Sequence, residues 1–278
     1  RRSSDLYRFH PENNKFHRFT SQTAPVQNIF TLSDGDTWLF QSDGRLLRIT
    51  PDEQAMACRQ ILGSSHGVRR VISLVQDKEI IWIISDRGIY KYSKENSKLT
   101  LALSTRKHFH SFRKYANKFI IGADNGQLYI YDPRKDDYSI MKFNTSATLT
   151  RVKAYDSKHL LITAENDGFF LTDGYRGEGV HYTISNQLLS NEVNALYVED
   201  SQKHIWIAYK NTTMITRIDS LGTYRKHYQL KMQKYDDSPR QISQDHDGRL
   251  WVFSKNEALN YYDEKSDEFL FFSISRTS

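Results

Sequence analysis

One pattern returns through nearly the whole chain and limits what the chain can fold into. Its clearest copy is Asn191 to Tyr209, in which the apolar run Val193-Asn194-Ala195-Leu196-Tyr197-Val198 is followed by the polar turn Glu199 to His204 and then by Ile205-Trp206-Ile207-Ala208-Tyr209. Thr37-Trp38-Leu39-Phe40, Ile80-Ile81-Trp82-Ile83-Ile84-Ser85 and Arg249-Leu250-Trp251-Val252-Phe253-Ser254 share its shape. Lys118-Phe119-Ile120-Ile121-Gly122 and His159-Leu160-Leu161-Ile162-Thr163 keep it with another bulky residue in the tryptophan position. From Trp38 through Trp82, Phe119, Leu160 and Trp206 to Trp251 the steps are 44, 37, 41, 46 and 45 residues. A period of this length, with several short strands per repeat, predicts an all-β chain, a β-propeller of four-stranded antiparallel blades.

Full repeats are expected near 26–60, 71–103, 108–143, 149–183, 193–230 and 239–273, with Gly, Asn and Asp turns of the kind tight hairpins require. Residues 1–20 read as the outer half of one more blade, so the chain holds six full blades and a half. A seven-bladed ring in a longer parent protein is expected, the missing strands coming from outside this stretch; a closed six-bladed ring is the alternative. Regular repetition over 278 residues favours one domain, 1–278, over two. The tryptophans and their bulky equivalents are expected to wedge between neighbouring sheets.

No run of about 18 apolar residues is present. The opening Arg1-Arg2-Ser3-Ser4 leads straight into a strand-like stretch and is not a signal peptide. The single cysteine, Cys58, has no internal partner and is expected to be inert. A net charge of +6 suits nucleic acid, an acidic membrane surface or an anionic glycan alike, and does not choose among them.

Two stretches resemble a known family. Tyr182-Thr183-x-x-Asn186-x-Leu188-x-Ser190-Asn191-x-Val193, then Glu199-Asp200 and Ile205-Trp206-Ile207-Ala208, resembles the regulator-propeller repeat of hybrid two-component sensors of gut Bacteroidetes. Asp245-x-Asp247-Gly248-Arg249-Leu250-Trp251-Val252 with Leu259-Asn260-Tyr261-Tyr262-Asp263 resembles the same unit. The likeness weakens in the third and fourth repeats, where the tryptophan is replaced. It implies a periplasmic sensor propeller of an inner-membrane protein, itself not an enzyme, that recognises a polysaccharide-derived oligosaccharide and signals to a histidine kinase. It further implies a second propeller and downstream modules in the same parent chain, homodimerisation of the parent, and no direct contact of this chain with nucleic acid.

Propellers commonly bind ligands where the loops between blades meet the loops between second and third strands. Here those loops carry His66, Arg69 and Arg70, then Arg87, then Arg106, Lys107 and His108, with His110 just inside the next strand. Together they are expected to form one basic patch, and arginine forks suit carboxylates or sulfates, so an acidic glycan fragment is the sharper expectation. Phe109 is expected to pack rather than to stack on a sugar. No catalytic residues, metal ligands or cofactors are expected. Asp124, Glu165, Asp167 and Glu192 lie in turns without the order of a catalytic pair, and His108 and His110 are two candidate ligands with no third. Thr31-x-Ser33-x-Gly35-x-Thr37-Trp38 matches a sialidase Asp-box only in part, and Asp245-His246-Asp247-Gly248 reads as a turn and not a calcium loop. A polysaccharide-active enzyme and a scaffold for protein contacts remain the alternatives.

Overall fold

The computed structural model describes residues 6–19, 24–50, 59–174, 179–220, 222, 224–231, 238–255 and 258–272. Cys58 and residue 273 lie outside them. β1 (Leu6–His10) and β2 (Lys15–Phe19) form a two-stranded antiparallel hairpin. Blade 1 holds β3 (Val26–Thr31), β4 (Thr37–Gln41), β5 (Leu46–Ile49) and β6 (Arg59–Leu62), and blade 2 holds β7 (Val71–Asp77), β8 (Ile80–Ser85), β9 (Gly88–Ser93) and β10 (Leu99–Ser104). Blade 3 follows with β11 (Phe109–Tyr115), β12 (Lys118–Ala123), β13 (Gln127–Asp132) and β14 (Asp137–Lys142). Blade 4 is β15 (Leu149–Ala154), β16 (His159–Ala164), β17 (Phe169–Asp173) and β18 (Gly179–Tyr182). Blade 5 is β19 (Val193–Val198), β20 (Ile205–Tyr209), β21 (Met214–Ile218) and β22 (Arg225–Gln229), and blade 6 is β23 (Pro239–Gln244), β24 (Leu250–Ser254), β25 (Leu259–Asp263) and β26 (Glu268–Phe271). Each blade is an antiparallel meander, so the chain is a β-propeller fold with six four-stranded blades and a partial one at its start. The chain divides into two compact units, 1–112 and 113–278.

The second strands explain why the repeat is visible. β8, β12 and β16 are buried at all but their first residue and β20 is buried throughout. A strand covered on both faces reads as a continuous apolar run, not an alternating one. The outer strands are the opposite: β14 is exposed at all but one position, and Tyr138 and Ile140 stand in solvent. The first strands of blades 1, 2, 4, 5 and 6 share a β-bulge near their start, between Val26/Asn28, Val71/Ser73, Leu149/Arg151, Val193/Ala195 and Pro239/Gln241. Side chains there reach the first strand of the next blade: Asn28 Nδ2 donates to Val71 O at 3.3 Å in the first unit, and Asn194 Nδ2 to Pro239 O at 2.7 Å in the second.

The core is a series of seams between blades. In the first unit Trp38, Phe40, Leu62, Val71, Ile81, Ile83 and Tyr92 fill the seam of blades 1 and 2, with Trp38 fully buried edge-on to Tyr92 at 5.7 Å. In the second unit one cluster joins blades 3 and 4, another blades 4 and 5, and a third blades 5 and 6. Trp206 belongs to the last, packed on Tyr228 of its own blade and on Tyr262 and Phe269 of the next. Phe119 and Leu160, the residues in the tryptophan position of blades 3 and 4, are equally buried. Blade 6, which no described blade follows, departs from the pattern: Trp251 is half-buried and Phe253 is exposed. Opposite the tryptophan on the third strand stands a cation in three blades, Arg48 for Trp38, Lys91 for Trp82 and Arg217 for Trp206. Lys91 Nζ lies 5.5 Å above the Trp82 ring and the Arg217 guanidinium 5.4 Å above that of Trp206.

Turn chemistry follows the same rules. Asn125 and Gly126 both take positive φ, 57° and 64°, the mirror-image turn that suits the twist of a two-residue hairpin. Gly168 has φ +68°, its N–H donates to Asn191 O at 3.0 Å, and a Cβ there would sit 1.9 Å from Tyr182 O. Only glycine fits.

The seam of blades 5 and 6 also holds a titratable clasp. Asp267 accepts hydrogen bonds from Tyr262 Oη at 2.6 Å and Tyr228 Oη at 2.9 Å and pairs with Lys226, while Arg217 Nη1 donates to Tyr262 Oη at 3.0 Å. Burial alone would raise the Asp267 carboxyl, but the bonds from Lys226, Tyr262 and Tyr228 and the Lys226 charge outweigh it and bring it down to about 2. A folded value below the ordinary 3.8 contributes stability that is complete above about pH 4 and is lost as pH falls toward about 2. The gap corresponds to at most about 2.5 kcal/mol. Two-fifths of the side chain meets water, and screening is expected to reduce this to about 1 kcal/mol. Urea unfolding at pH 5.5 and 2.5 should show wild type losing about 1 kcal/mol more than Asp267→Asn; equal losses would remove the clasp as a pH-sensitive element.

Candidate functional site

All eight residues expected in the basic patch lie in the first unit, seven on three loops, 63–70 between β6 and β7, 86–87 between β8 and β9, and 105–108 between β10 and β11, and the eighth, His110, on β11. A residue not singled out from the sequence ties these loops together. Asp86 is buried, and its Oδ1 accepts the backbone N–H of Arg69 at 3.1 Å and of Arg70 at 3.2 Å. Its own N–H donates to Arg70 O at 2.9 Å, and its carbonyl accepts the N–H of Phe109 at 3.1 Å. One turn residue therefore holds the loop on either side of blade 2. A buried carboxylate needs this degree of satisfaction, because unpaired it would carry the full desolvation penalty.

The candidates differ in how they stand around this anchor. Arg69 and Arg70 are exposed and Arg87 half-exposed, with Arg87 Nε 4.0 Å from Asp86 Oδ2. Arg70 Nη2 donates to Phe109 O at 3.1 Å and to His110 O at 3.3 Å, so part of its fork braces the start of β11. His66 ends a short 3-10 turn, Ser64–His66, and its ring meets Tyr90 edge-on at 5.8 Å. Burial, and then the Asp86 charge, raise the Tyr90 phenol, which places His66, Tyr90 and Asp86 in one neighbourhood. The 105–108 loop turns on Thr105, whose Oγ1 accepts the Lys107 N–H at 3.0 Å; Arg106 is exposed and Lys107 half-buried. His108 and His110 are half-buried with rings 6.5 Å apart, and Phe109 between them is fully buried, a packing residue. The structure thus gathers Arg69, Arg70 and Arg87 at Asp86, links His66 to them through Tyr90 and His110 through the Arg70 fork, and sets Arg106, Lys107 and His108 on the adjoining loop. Such an array can offer several charge-assisted donors to a carboxylate or sulfate.

The other chemistries considered from sequence find ordinary structural roles. Asp245 Oδ1 accepts the N–H groups of Asp247 and Arg249 and its Oδ2 accepts from Trp251 Nε1 at 2.7 Å, which occupies the carboxylate in a turn. Ser33, in the Asp-box-like stretch, donates across a seam to Gln76 Oε1 at 2.8 Å. Asp167 accepts from Thr145 Oγ1 at 2.6 Å, and Glu192 bonds Asn211. Among the described residues no group of three or more His, Cys, Asp or Glu is placed to hold a metal, and no helix is long and apolar enough to cross a membrane. A cavity of about 290 Å³ lies in the second unit at the opposite strand ends, lined by Glu199, Gln244, Asp247, Arg249, Tyr262 and Glu264. Its charges are mixed.

No protein-family model matches the chain, and no curated protein matches its sequence. Solved structures do share its fold. Virginiamycin B lyase from Staphylococcus aureus superposes with a TM-score of 0.66 at 12% identity, over 92% of this chain and 87% of the lyase. The extracellular domain of a protein described as a hybrid two component system of B. thetaiotaomicron gives 0.57 at 15% identity, over 91% of this chain and 35% of that one. The extracellular domain of a one component system of the same organism gives 0.53 at 13% identity, over 93% and 43%. The chain therefore spans less than half of either ectodomain. Both come from the bacterial group to which the sequence resemblance points, and at these identities the likeness establishes the fold.

Proposed function

We propose that this chain is the ligand-sensing propeller of a transmembrane hybrid two-component sensor, lying in the periplasm, not itself an enzyme, and recognising an acidic oligosaccharide derived from a polysaccharide. The observation that carries the reading is that the buried Asp86 carboxylate accepts the backbone N–H groups of Arg69 and Arg70 and lies 4.0 Å from Arg87 Nε, so the two loops that carry these three cations are fixed together before any ligand arrives. Loops fixed in this way have less conformational entropy left to lose on binding than free loops do. The fold shared with the two B. thetaiotaomicron ectodomains supports the sensor role. In this reading residues 1–278 belong to one propeller, a second propeller and a histidine kinase follow in the parent chain, and the parent signals as a homodimer.

Isothermal titration with matched acidic and neutral oligosaccharides tests it. Saturable binding of an acidic member without product is expected, and Arg69→Ala with Arg87→Ala should weaken that binding by more than about tenfold through lost charge-assisted bonds. These two are preferred over Arg70, whose fork also braces β11. Unchanged affinity would remove the patch from the site, and release of a cleaved product would replace the sensor with a polysaccharide-active enzyme.

A further inference from the structure

A second group of cations sits in the other unit, on the first strands of blades 3 and 4. Arg113 lies on β11, and Arg151 and Lys153 lie two apart on β15 and so share one face of it. Both β15 side chains reach across to the next first strand: Arg151 Nη1 donates to Asn194 O and Lys153 Nζ to Leu196 O on β19. Two carbonyls two residues apart on β19 thus hold two cations side by side. Arg113 is close enough that its charge, with that of Arg151, acts on the Lys153 ammonium. Among the described residues none of the three pairs with a carboxylate.

The arrangement is electrostatically incomplete. Burial first, and then repulsion from Arg151 and Arg113, lower the Lys153 ammonium, and burial lowers the Arg151 guanidinium. Arg151 is nevertheless reached by solvent. An anion arriving from solvent can therefore reach the fork. Carbonyl dipoles offset part of the cost of holding like charges together. An oxyanion would offset far more, and two planar forks beside an ammonium match its oxygens.

We infer that Arg113, Arg151 and Lys153 form an anion-binding site on the inner strands of blades 3 and 4 that takes the oxyanion of a ligand, a sulfate ester or a carboxylate. No member belongs to the loop cluster around Asp86, and the inference does not depend on that cluster binding a sugar.

The test uses inorganic sulfate, acetate and chloride at matched ionic strength and follows the melting temperature. Sulfate or acetate is expected to raise it by about 2–4 °C over chloride, as a ligand selective for the folded state does. A larger response to sulfate assigns a sulfate ester, and a larger one to acetate assigns a carboxylate. Measured on the Arg69→Ala/Arg87→Ala background, which takes the loop cluster out of the readout, Lys153→Met and Arg113→Gln should each abolish the response, the latter serving if the former does not fold, because Arg113 is exposed. Lys210→Gln, on an exposed turn of the same unit, should keep it. Equal responses to all three salts, or a response surviving in Arg113→Gln, would overturn the assignment.

Discussion

Truncating Trp206 to alanine is expected to lower the free energy of unfolding by about 4 kcal/mol, within the range for a large aromatic removed from a packed core. The indole is 1% exposed and meets Tyr228, Tyr262 and Phe269, so the cavity would open in the wall between blades 5 and 6. Two further contacts go with the ring, the Arg217 guanidinium above it and the bond from Nε1 to Glu199 Oε2 at 3.3 Å. Urea unfolding followed by far-ultraviolet circular dichroism measures the loss. Trp251→Ala, at the half-buried equivalent, should cost about 1–2 kcal/mol, since less apolar area leaves water there in the native state. Comparable losses at both sites, or a loss below about 1 kcal/mol at Trp206, would contradict the seam as the unit of stability.

The second large effect is expected at Asp86. Alanine there deprives the Arg69 and Arg70 amides of their shared acceptor and should destabilise by about 2–3 kcal/mol, because donors left unsatisfied away from water retain their desolvation cost. Asparagine keeps an oxygen where Oδ1 stands and should cost about 1 kcal/mol. Hydrogen exchange gives the more specific readout: the Arg69 and Arg70 amides should lose protection in Asp86→Ala and retain most of it in Asp86→Asn. Binding of the acidic oligosaccharide should fall in Asp86→Ala with every cation of the patch still present, which separates positioning from charge. An alanine variant within about 0.5 kcal/mol of wild type, with both amides still protected, would refute the anchoring role.

Much of the fold is legible because the signal is local and repeated. A second strand buried on both faces must be a short apolar run, and a wedge between sheets must be bulky, so Trp38, Trp82, Phe119, Leu160 and Trp206 mark blades 1 to 5 whatever surrounds them. Turns at Asn125-Gly126 and Gly168 declare themselves because few residues tolerate positive φ. The candidate site is legible only by its type. Arg69, Arg70 and Arg87 are visible as cations in loops, but Asp86 looks like any turn aspartate, since what distinguishes it is that Arg69, Arg70 and Phe109, distant in sequence, all bond to it.

The cations of the inner strands make the same point. Arg113, Arg151 and Lys153 read as the solvated side of alternating strands, and nothing within either strand shows that they meet. Periodicity and turn chemistry belong to single repeats, so the sequence alone determined the blade, its number of strands and the residue that walls it from the next. Which loops Asp86 fastens, which cations crowd without a counter-charge and which aromatics close around Trp206 depend on contacts between residues from 16 to 63 positions apart. Only the tertiary structure decided them, because hydrogen bonding and electrostatic interaction act through distances in space that a single repeat does not encode.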